Sequence, residues 1–179
     1  VPEVAHRVLN AGWPPTHSRT SCAAATGSRW LQRKKCGAVG GGRYGAGMKF
    51  GAVITYATER EFTELALVAE DAGWDQVFTW EAVWGQDAWV TLGAAAMATE
   101  RIRLGTLLTP AARHRPWDLA SRVASVDRLS GGRVTLGVGL GALHGNWLAF
   151  EADEGRAVRA RKLDEVLDVY AGLMGGQPF

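Results

Sequence analysis

Cysteine is nearly absent from this chain: two in 179 residues, Cys22 and Cys36, with none from Met48 onward. A disulfide framework is therefore excluded for the body, which must rely on an ordinary apolar core. The thiol-free body fits a reducing cytoplasm, and a cytoplasmic protein is expected. His6 and His17 accompany the two cysteines, but no Cys-x-x-Cys or His-x-x-x-His pair gives a zinc spacing. No metal site is expected. Long apolar runs are also missing, so no bilayer-spanning segment is expected. The nucleophile elbow GxSxG and the phosphate loop GxxxxGK[ST] are both absent. Serine hydrolase and P-loop chemistry are set aside on that ground.

What is present divides into two parts. Residues 1–47 contain seven Lys/Arg and one acidic residue, so the small positive net charge of +2 resides there. The remainder is mildly acidic, which argues against a nucleic-acid partner. Segments such as "GWPPTHSRTS" and "CGAVGGGRYGAG" hold too much Gly and Pro for regular structure. A disordered basic leader over 1–47 is expected, with Met48 as the natural start of a body spanning 48–179. In composition the leader also resembles an organelle transit peptide.

From Met48 the sequence alternates strand and helix. "KFGAVI" (49–54) predicts a strand. Thr58 and Glu61 then form a capping box ahead of a helix whose face carries Phe62, Leu65, Ala66, Ala69 and Ala72. "DQVFTWEAV" (75–83) predicts the second strand, and Asp87 caps an Ala-rich helix over 88–100. "IRLGTLLTP" (102–110) predicts the third strand. Pro116 suits the first turn of a helix bearing Leu119, Val123, Val126 and Leu129, with Gly131 at its end. "RVTLGVGL" (133–140) is the fourth strand. A last helix, from about Arg156 to Met174, turns Leu163, Val166, Leu167, Tyr170 and Leu173 one way. This βα repeat fits half of an eight-stranded barrel and, equally, an open doubly wound sheet.

The stretch Gly137-x-Gly139-x-x-Ala142 matches a loose dinucleotide-binding fingerprint. Its context does not. Such a loop opens a helix at once, in the first βα unit, with an acidic residue about 20 positions on. Here the next helix waits until Arg156, and position 162 is a lysine.

The wording of the units carries more. "ATERIRLGT", "DRLSGGRVTLGVGLG" and the run "AEDAGWDQVFTWEAVWGQDAWVTLGAAAMATERIRLGTLLTP" resemble the bacterial luciferase-like monooxygenases, a family that includes coenzyme F420-dependent oxidoreductases. The resemblance spans essentially all of 48–179. It implies an α/β fold of the TIM type, here about the first four βα units. It also implies two exposed strand edges, and hence self-association of the chain. A flavin-type cofactor, F420 ahead of FMN, would lie at the carboxyl ends of the strands beside a small-molecule substrate.

The same resemblance nominates residues at those ends. Family members often have an acidic residue followed by His after strand two; this chain has Glu81 and then Ala82. Glu81 is the candidate for proton handling or for a cofactor hydrogen bond, with a structural ion pair to an Arg as the alternative. Trp80, Leu107, Leu108, Thr109, Gly139, Leu140 and Gly141 are cofactor-wall candidates. In F420-using relatives a non-prolyl cis peptide near Leu107–Thr109 backs the ring. Gly139 and Gly141 are expected to leave room for that ring, and Gly137 to sit in a crowded interior. Tyr56, Trp84 and His144 are substrate-pocket candidates. Arg113, His114 and Arg115 read as a solvated charge run, with no partner in view for His114. A hydride-transferring or oxygen-inserting oxidoreductase leads; a non-catalytic flavin binder or inactive fragment, and an open-sheet NAD(P) enzyme, are the alternatives.

Overall fold

A computed structural model describes residues 48–143 and 147–176. Four strands alternate with four helices: β1 (Gly51–Val53), α1 (Glu59–Asp71), β2 (Gln76–Thr79), α2 (Ala88–Ala98), β3 (Arg103–Pro110), α3 (Pro116–Ser130), β4 (Val134–Gly139) and α4 (Arg156–Met174). Short 3₁₀ turns at Ala111–Arg113 and Trp147–Ala149 follow β3 and β4.

Local chemistry explains the boundaries. The Thr58 hydroxyl accepts from the Glu61 amide while the Glu61 carboxylate accepts from the Thr58 amide at 2.9 Å, closing the capping box of α1. Asp87 Oδ1 accepts from the amides of Trp89 and Val90 and starts α2. Pro116 occupies the first turn of α3, and Gly131 ends it in the left-handed conformation at φ 68°. Phe62, Ala66 and Ala69 of α1, and Leu119, Val123 and Val126 of α3, are buried as their spacing predicts. Leu129 is not: it lies exposed, although Val126 before it and Ser130 after it are buried. On α4 only Val166 is fully buried, with Leu163 and Tyr170 partly covered against the core.

All three pairings are parallel and the order is β1-β2-β3-β4. Right-handed crossovers between successive neighbours put every helix on one side of the sheet. Each helix packs on the next, α1 on α2, α2 on α3 and α3 on α4. A doubly wound sheet requires a reversal of strand order and helices on both faces. Neither occurs among the described residues, so the open-sheet alternative fails and the architecture is that of four consecutive units of a (β/α) barrel.

Register fixes the two faces. Ala52, Val77, Leu104 and Val134 are aligned across the sheet toward the helices, and Val77 and Leu104 are fully buried. The other face carries Gln76, Phe78, Arg103 and Thr135, all half-buried. Arg133 secures the amino-terminal end of the sheet. Its guanidinium donates to the carbonyls of Ala96, Thr99, Ile102 and Ser130 and to the Thr99 hydroxyl, at 2.6–2.9 Å. Among the described residues no helix is long and apolar enough to cross a membrane.

Candidate functional site

In a barrel of this class, side chains beyond the carboxyl ends of the strands converge on one mouth. After β1, the Thr55 carbonyl accepts a 2.6 Å hydrogen bond from the Trp80 indole, so the first two strand ends are tied together. Tyr56 stands edge-on to Trp80, with ring centroids 5.7 Å apart, and is otherwise 86% exposed. Trp84, in the turn that follows β2, is also exposed.

Strand β3 is interrupted where it reaches the mouth. Its register with β4 shifts between Thr106 and Thr109, and the Leu107–Leu108 peptide is cis. The shift turns two adjacent leucines outward, Leu107 at 50% and Leu108 at 36% exposure, in a segment whose neighbours are buried. Thr109 differs from the expectation of a residue facing a ligand. It is fully buried, and its hydroxyl donates to that of Thr106 at 3.0 Å, which supports the bulge from behind.

The glycines of β4 answer to that bulge. A Cβ at Gly137 would lie 2.4 Å from the Thr106 carbonyl oxygen, inside the crowded strand pair. A Cβ at Gly139 would meet Leu108 at 2.8 Å, and one at Gly141, where φ is 71°, would meet Pro110 at 2.7 Å. The space expected in front of Gly139 and Gly141 is therefore taken by β3 itself, whose displaced chain needs the missing side chains. Leu140, between them, is half-buried. His144 lies outside the described residues, as do Cys22, Cys36 and the whole segment 1–47.

Next to the bulge stands an acid–imidazole pair. Glu81 Oε1 and His114 Nε2 are 2.7 Å apart, and both side chains are only 13% exposed. His114 thus has a partner, contrary to the expectation, and Glu81 pairs with a histidine rather than an arginine. Glu81 Oε2 is buried and makes no hydrogen bond. The solvated charge run holds for Arg115, which is exposed, but is corrected for Arg113. The Arg113 guanidinium stacks 3.8 Å over the Trp147 ring, and its Nε is buried without an acceptor. Burial lowers the Arg113 pKa, against the opposing pull of Glu81 and Glu151.

Sequence reasoning missed His114, Arg113 and Trp147 because their contacts join different βα units. One signal was available: Pro110 ends β3, so residues 113 and 114 must emerge at the same mouth as Glu81. Among the described residues no cluster of His, Cys, Asp or Glu suited to a metal ion occurs.

A flat ring system needs an apolar wall with an open face and buried polar atoms left without partners. The exposed leucine pair and the unbonded Glu81 Oε2 supply both, so the residues present fit a flavin-type ring.

Fold and mouth together define four consecutive units of the (β/α) barrel class, with the strand ends of β2, β3 and β4 grouped at one mouth. The family model of luciferase-like monooxygenases matches residues 42–179, and the chain belongs to that family. It is 43% identical over 91 residues to an F420-dependent glucose-6-phosphate dehydrogenase of Beutenbergia cavernae, covering 46% of this chain and 27% of that protein. It is 36% identical over 118 residues to 4-hydroxyprotoasukamycin monooxygenase of Streptomyces nodosus subsp. asukaensis, covering 63% and 31%. In structure it is similar to the coenzyme F420 dependent tetrahydromethanopterin reductase of Methanopyrus kandleri, with TM-score 0.61, 26% identity and coverage of 71% and 40%. The chain spans less than a third of the length of these two curated relatives.

Proposed function

We propose that this chain carries the ring-binding part of an F420-dependent oxidoreductase that transfers hydride to or from a small organic substrate. One observation carries the reading: the outward-turned Leu107–Leu108 pair at the mouth of β3, an apolar wall where an enzyme core would otherwise close. Such exposure of adjacent leucines beside buried neighbours, at the strand-end mouth, supports reading them as a surface covered by a ligand.

In this reading the leucines back the ring, Trp80 and Tyr56 flank it from the β1–β2 side, and Leu140 borders it from β4. Glu81 offers its unbonded oxygen to a donor on the ligand. When bound, the deazaflavin supplies the two-electron chemistry, and the protein orients it and excludes water. The F420-dependent relatives support this choice of cofactor. A second reading, oxygen insertion with FMN, is favoured by the monooxygenase relative, which matches more of this chain than the dehydrogenase does.

Fluorescence titration of the purified chain with F420, FMN and NADPH tests both. Binding of F420 in preference to FMN is expected. Preference for FMN would move the assignment to the second reading, and tight binding of NADPH alone would overturn both.

A further inference from the structure

We infer that the end of the sheet opposite the mouth holds a second binding site, a cleft that takes a small phosphate-bearing anion. The cleft, of about 290 Å³, lies where the chain enters β1, β2 and β3. Lys49 stands before β1, Asp75 before β2, and Arg101, Ile102 and Arg103 at the entry to β3. Glu70 reaches it from the last turn of α1. None of these residues belongs to the mouth beside Glu81, so a ligand here is independent of the cofactor.

The hydrogen-bond partners decide the charge of that ligand. Both carboxylates are spent on the backbone. Glu70 accepts from the amides of Glu100, Arg101 and Ile102 at 3.1, 2.6 and 2.7 Å. Asp75 Oδ2 accepts from the Phe50 amide at 2.6 Å. Amide donors of this kind offset the charge of a carboxylate.

The cations are not spent. Lys49 is exposed and has no hydrogen bond or ion pair among the described residues. The Arg101 guanidinium, 68% exposed, approaches Glu70 and Glu100 only to 3.9 Å, past hydrogen-bonding distance. Arg103 is half-buried and held along one edge: Nε and Nη2 donate to the Thr135 hydroxyl at 3.3 Å, and Nη2 to the Val134 carbonyl at 3.0 Å. Its Nη1 makes no hydrogen bond among the described residues, and the side chain borders the cleft. Three positive groups therefore keep free donors around two satisfied acids.

Geometry favours phosphate over a monovalent ion. A guanidinium fixed on one edge presents the other already ordered, so little rotamer freedom is lost when an oxyanion docks. Lys49 and Arg101 bring two further cations from the entries to β1 and β3, and a tetrahedral dianion has oxygens for all three. The volume sits at the lower edge of ligand pockets, ~300–1,000 Å³, which suits a phosphate with at most a short organic group.

Isothermal titration of the full chain with inorganic phosphate, at constant ionic strength and without cofactor, tests the site. Saturable binding is expected, weakened ~tenfold in Lys49→Ala and in Arg101→Ala, as for the loss of one charged hydrogen bond. Both side chains are exposed, so these variants keep the fold. Arg103→Lys retains the charge but not the fork and should weaken binding as well. Arg156→Ala removes the same charge from an exposed position at the start of α4 and should leave the affinity unchanged. Tighter binding of glycerol 3-phosphate than of phosphate would assign the cleft to phosphomonoesters, and the reverse order to free phosphate. The site is overturned if neither compound binds saturably, if Arg156→Ala loses as much affinity as the cleft variants, or if Lys49→Ala and Arg101→Ala bind like the parent.

Discussion

Gly137 and Thr106 lie so close that a methyl group on the glycine would come within 2.4 Å of the threonine carbonyl oxygen. The obstacle is backbone, in a strand paired with β4 up to Thr106 and again from Thr109, and it cannot rotate aside. Gly137→Ala must therefore part β3 from β4. Overpacking of this kind costs about 1–3 kcal/mol. Thermal melts followed by circular dichroism should show the loss; an unchanged melt would mean that the two strands are not so closely apposed.

Arg133 carries the next prediction. Its five donations satisfy four carbonyls and the Thr99 hydroxyl, at the ends of α2 and α3 and just before β3. Removing a charged donor leaves these acceptors unpaired, at about 1.5–3 kcal/mol for each bond to a charged group that is lost outright. Arg133→Ala is expected to be among the most destabilising substitutions in the body, by about 3 kcal/mol or more. Arg133→Lys should recover only a fraction, because one ammonium cannot span the fork. Urea titrations of the two variants beside the parent would check the order.

These two positions show what the sequence could and could not reveal. "DRLSGGRVTLGVGLG" stands out in the sequence, yet its Arg133 serves the packing of the sheet end, and Gly137, Gly139 and Gly141 admit the displaced β3. The strands and helices are legible because their signals are local: Thr58 with Glu61, Asp87, Pro116 and Gly131 each act within one turn. The partnership of Glu81 with His114 is not legible, since the two residues stand on different units and no spacing links them. The burial of Arg113 is hidden for the same reason; a run of Arg-His-Arg reads as solvent-facing until Trp147 comes from the far side of β4. Leu129 fits the helical period of α3, yet the structure turns it outward and buries Ser130 beside it.

Acid stability should depend on Glu70. Burial opposes ionisation of this carboxyl, but the backbone N–H groups of Ile102, Arg101 and Glu100, with Arg101 adding charge, outweigh it and hold the pKa below the usual carboxylate value. A folded-state pKa below the unfolded one adds stability that is fully present above the unfolded value, ~4.3. It is lost as pH falls through the depressed folded value. Glu70→Gln should therefore lower the melting temperature at neutral pH and flatten its decline below pH ~4. A parallel decline in parent and variant would remove Glu70 from the account.

Leu107 separates binding from folding. Its side chain is half exposed, so Leu107→Asp should change stability by no more than about 0.5 kcal/mol. The same change puts a carboxylate on the proposed ring wall, where desolvating it should weaken F420 binding by ~tenfold or more, about 1.4 kcal/mol. Unaltered affinity in a well-folded variant would take the leucine pair out of the cofactor site.

The sheet predicts how the chain behaves in solution. Among the described residues β1 and β4 are each paired on one side only, and Phe50 and Val53 at the β1 edge are about half exposed. Unpaired parallel edges with apolar side chains invite pairing with another chain. The 179-residue chain is therefore expected to self-associate, seen as oligomers by light scattering coupled to size exclusion. Val53→Lys should shift that distribution toward monomer, because a charge on the edge opposes a further strand while leaving the helix-packed face of Ala52 and Val77 untouched. A parent chain that is monomeric and unfolds in one sharp calorimetric transition would show that the edges are protected in some other way.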